Sequence, residues 1–119
     1  MSRVFVTQQP RPNASGWTPN LTPASDFGTL RFVFEPEQRP SASPNQALRH
    51  AQVVLKDFDP DEDFVLWPNT GDPSAAWAVM LALAKKGVER IQTLYYERSL
   101  VNGVRDRRNG FYTPVVFHL

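Results

Sequence analysis

The chain has 119 residues, 41% hydrophobic and 21% charged, which is enough for one buried core and excludes a second. Thirteen Lys and Arg balance twelve Asp and Glu, and this net charge of +1 predicts no general attraction to nucleic acid or to anionic membranes. With no cysteine, disulfides, thiol nucleophiles and thiolate metal sites are excluded, so a reducing compartment is expected.

The first half of the chain is rich in proline and predicts strands and loops more than helices. Residues 3–7 form a short apolar, β-branched run, which is typical of a strand. Residues 11–25 are expected to form a loop, in which Thr22 can cap one helical turn that starts at Pro23. The alternating apolar residues at 29–34 predict the second strand.

A polar loop at 35–43 leads to the first predicted helix. Ser43 is a suitable N-cap, and Pro44 suits the first helical position because its missing N–H would have had no partner. Apolar residues then recur at helical spacing from Ala47 to Phe58. The pattern indicates an amphipathic helix packed on a sheet.

The middle of the chain predicts a β-α-β unit. Residues 64–67 read as a short buried strand, and a tight turn then leads to Asp72, a good N-cap, and Pro73. The helix at 74–86 is apolar nearly all round, so it is expected to be covered on several sides or to form an oligomer through an apolar face. A strand at 91–96 completes the unit, with a right-handed crossover.

The last strand is predicted at 111–119, a segment rich in aromatic and β-branched residues. Asn-Gly pairs at 102–103 and 109–110 favour an antiparallel hairpin with the preceding strand, with an Arg-rich tip at 99–110. Pro114 cannot donate to a neighbouring strand, so the last strand is expected at an edge of the sheet or bulged there.

Together these elements predict the fold class. We expect a single α/β domain over residues 1–119, with a mixed sheet of about five strands and two main helices. One β-α-β unit and a C-terminal antiparallel hairpin belong to the same sheet.

A weak candidate for ligand binding is the turn of Thr70, Gly71 and Asp72. It lies at the carboxyl end of a strand and faces a helix N-terminus, where open α/β sheets bind anions and nucleotides. However, the turn has one glycine and no following lysine, and the Asp72 carboxylate would itself lie at the positive end of the helix. Helix capping explains each of these residues, so the structural interpretation is favoured.

Neither a metal site nor a catalytic residue is predicted. The acidic run at 57–63 lacks the glycine and glutamate of a calcium-binding EF-hand loop, and a solvated loop is expected instead. His50 and His118 have no carboxylate or histidine neighbours at ligand spacing, so both are expected to be ordinary surface residues. No cofactor is expected.

The best candidate for partner binding is the predicted hairpin. Arginine and tyrosine are enriched at protein interfaces, and together they can also hold phosphate and stack on bases. Acidic residues interleave with the arginines and the overall charge is near zero, so a host or phage protein is favoured over nucleic acid as the partner. The predicted partner-binding residues are Arg98, Arg105, Arg107, Arg108 and Tyr112.

Several short segments occur in an order that resembles a group of small, mostly uncharacterised proteins of tailed bacteriophages. The resemblance implies expression in the cytoplasm of an infected bacterium, and it implies no particular activity. The segments are Val6-Thr7-Gln8, Leu21-Thr22-Pro23-Ala24 with Phe27-Gly28, Gly71-Asp72-Pro73, Tyr96-Glu97-Arg98 and Tyr112-Thr113-Pro114-Val115.

The leading functional hypothesis is therefore a non-enzymatic phage accessory protein that binds a host or phage macromolecule, with host takeover as its setting. Two alternatives remain open. One is a nucleic-acid-binding protein that uses the Arg/Tyr hairpin. The other is a small nucleotide-binding or nucleotide-processing enzyme at the Gly71-Asp72-Pro73 turn. A membrane role is not expected, because no apolar run approaches the roughly 20 residues that span a bilayer.

Overall fold

The computed structural model describes residues 1–118, without the side chains of residues 99, 101 and 105–109. Five strands form one sheet in the order β2-β1-β3-β4-β5. The strands are β1 (Arg3–Gln8), β2 (Thr29–Phe34), β3 (Phe64–Leu66), β4 (Arg90–Val101) and β5 (Val104–His118). The helices are α1 (Pro44–Val54) and α2 (Pro73–Lys85), and two short 3₁₀ turns span Thr22–Asp26 and Pro40–Ala42.

The sheet is mixed, as predicted. The first four strands are parallel, with β1 between β2 and β3, and β5 pairs antiparallel with β4. The predicted fold class, with a single domain, two main helices and a C-terminal hairpin, is confirmed. Because β1 is central and covered on both faces, five of its six residues are buried.

The two faces of the sheet are covered in different ways. On one face α1 and α2 pack together over Phe5, Val65 and Ile91. On the other face the connection from β1 to β2 contributes Leu21 and Ala24, which pack against the opposite-facing residues of the same strands. Alternating side chains therefore supply two apolar clusters, one for each face of the sheet, and the prediction that only one core is possible is wrong in this respect.

The helix starts agree only in part with the expected capping. Asp72 caps α2 as predicted, and Pro73 occupies its first position. Pro44 begins α1, but the side chain of Ser43 makes no capping hydrogen bond, so that part of the prediction is wrong. Thr22 is likewise not a cap, because Leu21 occupies the N-cap position of its turn.

The acidic run is not simply a solvated loop, because Asp63 is fully buried. Its Oδ1 accepts from the Arg3 backbone N–H (2.9 Å), and its Oδ2 accepts from Arg3 Nη2 (2.8 Å) and from the Asp59 backbone N–H (2.8 Å). Asp61 lies on the outside and pairs with Arg90. The run therefore ties β1, the loop before β3 and β4 together, and the prediction of a solvated loop is wrong for Asp63.

His50 is also placed differently from the expectation of a surface residue. Its ring is half-buried, with its centroid 5.0 Å from that of Phe34. Its Nε2 lies 2.7 Å from the Val33 carbonyl oxygen, so the side chain links α1 to β2. These contacts give His50 a structural role.

The hairpin is longer and more regular than expected. Strand β4 pairs with β3 only as far as Thr93, so residues 94–101 continue with β5 as a two-stranded ribbon. The ribbon turns at Asn102 and Gly103, which have φ of 53° and 79°, instead of at a loop over 99–110. The register shifts between Arg98 and Leu100. Strand β5 is at an edge of the sheet, as Pro114 predicted.

Candidate functional site: an aromatic cleft beside the ribbon

The order of the strands opens a crevice at one end of the sheet. From β1 the chain passes over the face opposite the helices to reach β2, whereas from β3 it passes through α2 on the helix face to reach β4. The connections after neighbouring strands β1 and β3 therefore diverge. In open α/β sheets, ligands bind in the crevice that this divergence leaves at the carboxyl ends of the strands.

A cavity of about 940 Å³ occupies this position, and we call it the aromatic cleft. Because β3 ends at Leu66 while β4 continues, one edge of β4 forms a wall of the cleft without a neighbouring strand. The lining includes Trp17, Trp67, Tyr95, Tyr96 and Tyr112, the polar residues Thr7, Asn20, Asn69 and Thr70, and Arg98.

The aromatic side chains of the cleft come from three separate parts of the chain. Trp17 belongs to the connection between β1 and β2, Trp67 follows β3, and Tyr95 and Tyr96 lie on β4. The two indoles are 58% and 55% exposed, and both tyrosines are exposed as well. Large aromatic side chains gathered in one exposed concave surface are typical of a binding site.

The loop that carries Trp17 is held by its own hydrogen bonds. The Asn13 side-chain Oδ1 accepts from the backbone N–H groups of Ser15 and Trp17, each at 3.0 Å. The Asn13 backbone N–H donates to the Trp17 carbonyl oxygen at 2.9 Å. These bonds close a compact turn, so Trp17 is held beside the cleft before any ligand binds.

Among the described residues, the charge that lines the cleft is positive. Among the described residues that line it, Arg98 is the only charged one, and no aspartate or glutamate is present. Arg98 is exposed, and its guanidinium offers several donors in a planar arrangement. The cleft therefore suits a ligand that combines flat apolar groups with a negative charge.

Beside the cleft, Gln8 fixes the turn before α2. Its Oε1 accepts from the Asp72 backbone N–H (2.8 Å), and its Nε2 donates to the carbonyl oxygens of Glu35 (3.0 Å) and Gln38 (2.7 Å). Gly71 has φ of 90°, and a Cβ there would lie 2.5 Å from Gln8 Oε1. The glycine is thus required both by its backbone angle and by the close approach of Gln8.

The Asp72 carboxylate is used by the protein itself. Its Oδ1 accepts from the Ser74 N–H (3.0 Å) and its Oδ2 from the Ser41 N–H (2.8 Å). The hydrogen bond from Ser41 is the main cause that lowers the pKa of Asp72, with a further contribution from Ser74. Of the three residues predicted to bind a ligand, Gly71 and Asp72 build the turn, and Thr70 lines the cleft.

The predicted partner-binding residues are placed in different environments. Arg98 is exposed at the wall of the cleft, whereas Tyr112 is only 7% exposed and belongs to the core of the face opposite the helices. The ring centroids of Tyr112 and Tyr96 are 5.1 Å apart, and burial followed by the nearby Tyr96 raises the pKa of Tyr112 to about 12. The side chains of Arg105, Arg107 and Arg108 lie outside those that the structure describes.

The sequence alone does not mark Trp17 and Trp67 as residues of the candidate site. By sequence, Trp17 is an apolar anchor in a polar loop, and Trp67 is the last residue of a buried strand. One signal could have identified Trp67, because an aromatic residue directly after a parallel strand lies where such sheets bind ligands. No comparable local signal marks Trp17.

Comparison with known proteins identifies a family whose model matches most of the chain. The model of a family described as "Phage Pam3 gp32-like protein" matches residues 2–104. Neither a curated protein nor a solved structure matches the chain. Within residues 1–118, no helix is long and apolar enough to cross a membrane.

Proposed function

The chain belongs to the Phage Pam3 gp32-like protein family, and we propose that this small phage protein acts by binding another protein through the β4–β5 ribbon. One observation carries the proposal. The part of the ribbon beyond the sheet displays exposed apolar side chains, at Leu100, Val104 and Phe111. Such side chains are costly to leave in water, and phenylalanine is enriched at protein interfaces.

The architecture of the ribbon supports the same function. Beyond Thr93 it has only two strands, and an isolated pair of strands is marginally stable in water. Leu94 and Tyr112 at its base are buried, so the projecting part of β4 is residues 97–101, roughly 17 Å at about 3.3 Å per residue. A partner that covered it would bury apolar area on the ribbon and stabilise its extended conformation.

The composition of the ribbon favours a protein as the partner. Asp106 lies between the arginines at 105 and 107, so the sequence of the distal ribbon lacks the uninterrupted positive charge that a phosphate backbone attracts. The apolar side chains at 100 and 104 offer little to a phosphate backbone, whereas they suit the buried centre of a protein interface. Arginine is enriched at protein interfaces, and the sequence has three further arginines at 105, 107 and 108.

Affinity purification of the tagged protein from infected cells, followed by quantitative mass spectrometry, tests the proposal. Val104→Gln removes an apolar contact at a side chain that is 69% exposed. Val53→Gln on α1, at a side chain that is 68% exposed, is the matched control. We expect the recovery of a specific partner to fall roughly tenfold with Val104→Gln and to be unchanged with Val53→Gln. Equal recovery with both variants would contradict a role of the ribbon.

A further inference from the structure

The aromatic cleft has the size and position of a small-molecule site. Its volume of about 940 Å³ lies at the upper end of the range of roughly 300–1,000 Å³ that is common for such sites. It lies outside the carboxyl ends of β1 and β3, where the order of the sheet diverges. It is lined by the base of the ribbon and not by Leu100, Val104 and Phe111, the exposed apolar residues on which the proposed protein binding rests.

The rings around the cleft favour a planar ligand. Trp17 and Trp67 are presented by two different loops, and Tyr95 and Tyr96 project from opposite faces of β4 yet both line the cavity. They do so because β4 has no neighbouring strand at this level, so the cleft extends around its edge. Stacking on such rings stabilises a bound base, and any base can stack because each has an aromatic face.

Two amides complement the rings. Asn20 and Asn69 both line the cleft, and each side chain has a donor and an acceptor that match the polar edge of a nucleobase. Asn20 is oriented by the Thr22 backbone N–H, which donates to its Oδ1 at 3.0 Å. Asn69 has a left-handed φ of 61°, a backbone conformation that asparagine tolerates and that recurs at binding sites.

Arg98 supplies the charge that the phosphate of a nucleotide requires. Its guanidinium can donate two hydrogen bonds to one phosphate, and among the described lining residues no carboxylate opposes it. An aliphatic ligand would leave the amides and the guanidinium without hydrogen-bond partners. Aromatic faces, amides and one arginine therefore match base and phosphate together.

We propose that the aromatic cleft binds one nucleotide unit, with its base against Trp17 and Trp67 and its phosphate on Arg98. A free nucleotide and one unit of a single-stranded nucleic acid present the same base and phosphate. The two sources differ in whether neighbouring phosphates add to the affinity, and experiment separates them through that difference.

Quenching of tryptophan fluorescence measures this binding directly, because two of the three tryptophans line the cleft. The third, Trp77, is 66% exposed on α2 and does not line it, so Trp77→Leu is the matched control. The probes are adenosine and thymidine monophosphates, the corresponding nucleosides, and inorganic phosphate. We expect saturable quenching by the monophosphates, abolished by Trp67→Leu and retained in Trp77→Leu.

A second variant tests the phosphate contact. Arg98→Gln should weaken the binding of the monophosphates about tenfold, as expected for loss of a charge-assisted hydrogen bond, and leave nucleoside binding unchanged. A short oligodeoxythymidylate identifies the source. Tighter binding than the monophosphate, falling with added salt, indicates a single strand, and equal affinity indicates a free nucleotide.

Three results would overturn the proposal. The first is no saturable quenching by any nucleotide at millimolar concentration. The second is equal quenching in wild-type protein and Trp67→Leu, with thermal unfolding showing that both are folded. The third is an Arg98→Gln variant that weakens nucleosides and nucleotides to the same extent, because the phosphate would then make no contact with Arg98. The measurement uses purified protein alone, so its outcome is separate from that of the partner purification.

Discussion

Gly71 lies in the turn between β3 and α2, where the end of β1 packs against it. Its φ of 90° belongs to the left-handed region, and its missing side chain leaves room for the amide of Gln8. Gln8 in turn connects the turn to the carbonyl oxygens of Glu35 and Gln38. A single glycine thus allows three segments that are distant in sequence to share one buried amide.

Gly71→Ala is predicted to destabilise the protein more than Gly87→Ala. The φ of Gly87 is 89°, almost the same angle, but a Cβ there would meet nothing within 4 Å. Gly87→Ala should therefore cost only the left-handed strain, about 1 kcal/mol. Gly71→Ala should cost roughly 1–2 kcal/mol more, because Gln8 must give up hydrogen bonds. Urea unfolding of both variants measures the difference, and equal losses would show that Gln8 adjusts freely.

Tyr112 predicts a pH dependence in alkali. Burial and then Tyr96 raise its pKa to about 12, against about 10 in the unfolded chain. The folded state therefore keeps the phenolic proton that the unfolded state loses, and stability falls as pH rises from about 10 to about 12, by roughly 1.4 kcal/mol per pH unit. Tyr112→Phe removes this contribution, so its stability relative to wild type should rise over that range. Free energies of unfolding that change with pH in the same way for Tyr112→Phe and wild type would contradict the raised pKa of Tyr112.

At the level of the element, α2 depends on both oxygens of Asp72. Asp72→Ala should lose the helix cap and the bond to Ser41, and cost about 1–2 kcal/mol. Asp72→Asn has only one side-chain oxygen, so it can accept from the N–H of Ser74 or of Ser41 but not from both. We therefore expect an intermediate loss of stability at neutral pH. Thermal unfolding of the three proteins measures the ranking. If Asp72→Asn lost as much stability as Asp72→Ala, the bonds to Ser41 and Ser74 would not contribute separately.

The same carboxylate gives a prediction in acid. The hydrogen bond from Ser41 is the main cause that lowers the pKa of Asp72 in the folded state. The ionised carboxylate therefore stabilises the fold fully above the ordinary aspartate pKa of about 3.9, and this stabilisation is lost as the pH falls through the lowered pKa. Asp72→Asn cannot titrate. The stability gap between wild type and Asp72→Asn should therefore narrow as the pH falls below about 4. A gap that stays constant would contradict the role of the charge.

The elements could be predicted from sequence where local chemistry decides them. Asp72 and Pro73 start α2 because capping and proline geometry act within one turn. The hairpin turn could not be located in the same way, because Asn-Gly occurs at both 102–103 and 109–110, and only the pairing register of the strands selects the first. The burial of Asp63 was missed for a related reason, since its partner Arg3 lies 60 residues away.

The site was harder to predict than the fold. Trp17 and Trp67 are far apart in the chain and line the same cavity because β1 lies between β2 and β3. Residue types predicted that Arg98 is functional, but they gave no way to see that Tyr112 is packed in a core. The cleft follows from the order of the strands, which no local pattern encodes.

At the scale of the whole molecule, the covered and uncovered parts of the sheet are separated. The helices lie over β1, β2, β3 and the beginning of β4, while Tyr95, Phe111 and Phe117 remain exposed on β4 and β5. The longest dimension of the molecule is 46 Å, as expected when a ribbon extends from a small domain. The distal ribbon therefore lies on the β4–β5 side, and the aromatic cleft lies between the base of the ribbon and the carboxyl ends of β1 and β3.

A two-dimensional nitrogen–proton NMR spectrum during titration with thymidine monophosphate tests the central claim, that the aromatic cleft is a binding site. The three tryptophan indole N–H groups give one signal each and serve as internal controls for one another. We predict progressive shifts for Trp17 and Trp67, together with the backbone amides of residues 95–98, and no shift for Trp77. An unchanged spectrum, or shifts confined to Trp77 and α1, would contradict the assignment of the cleft.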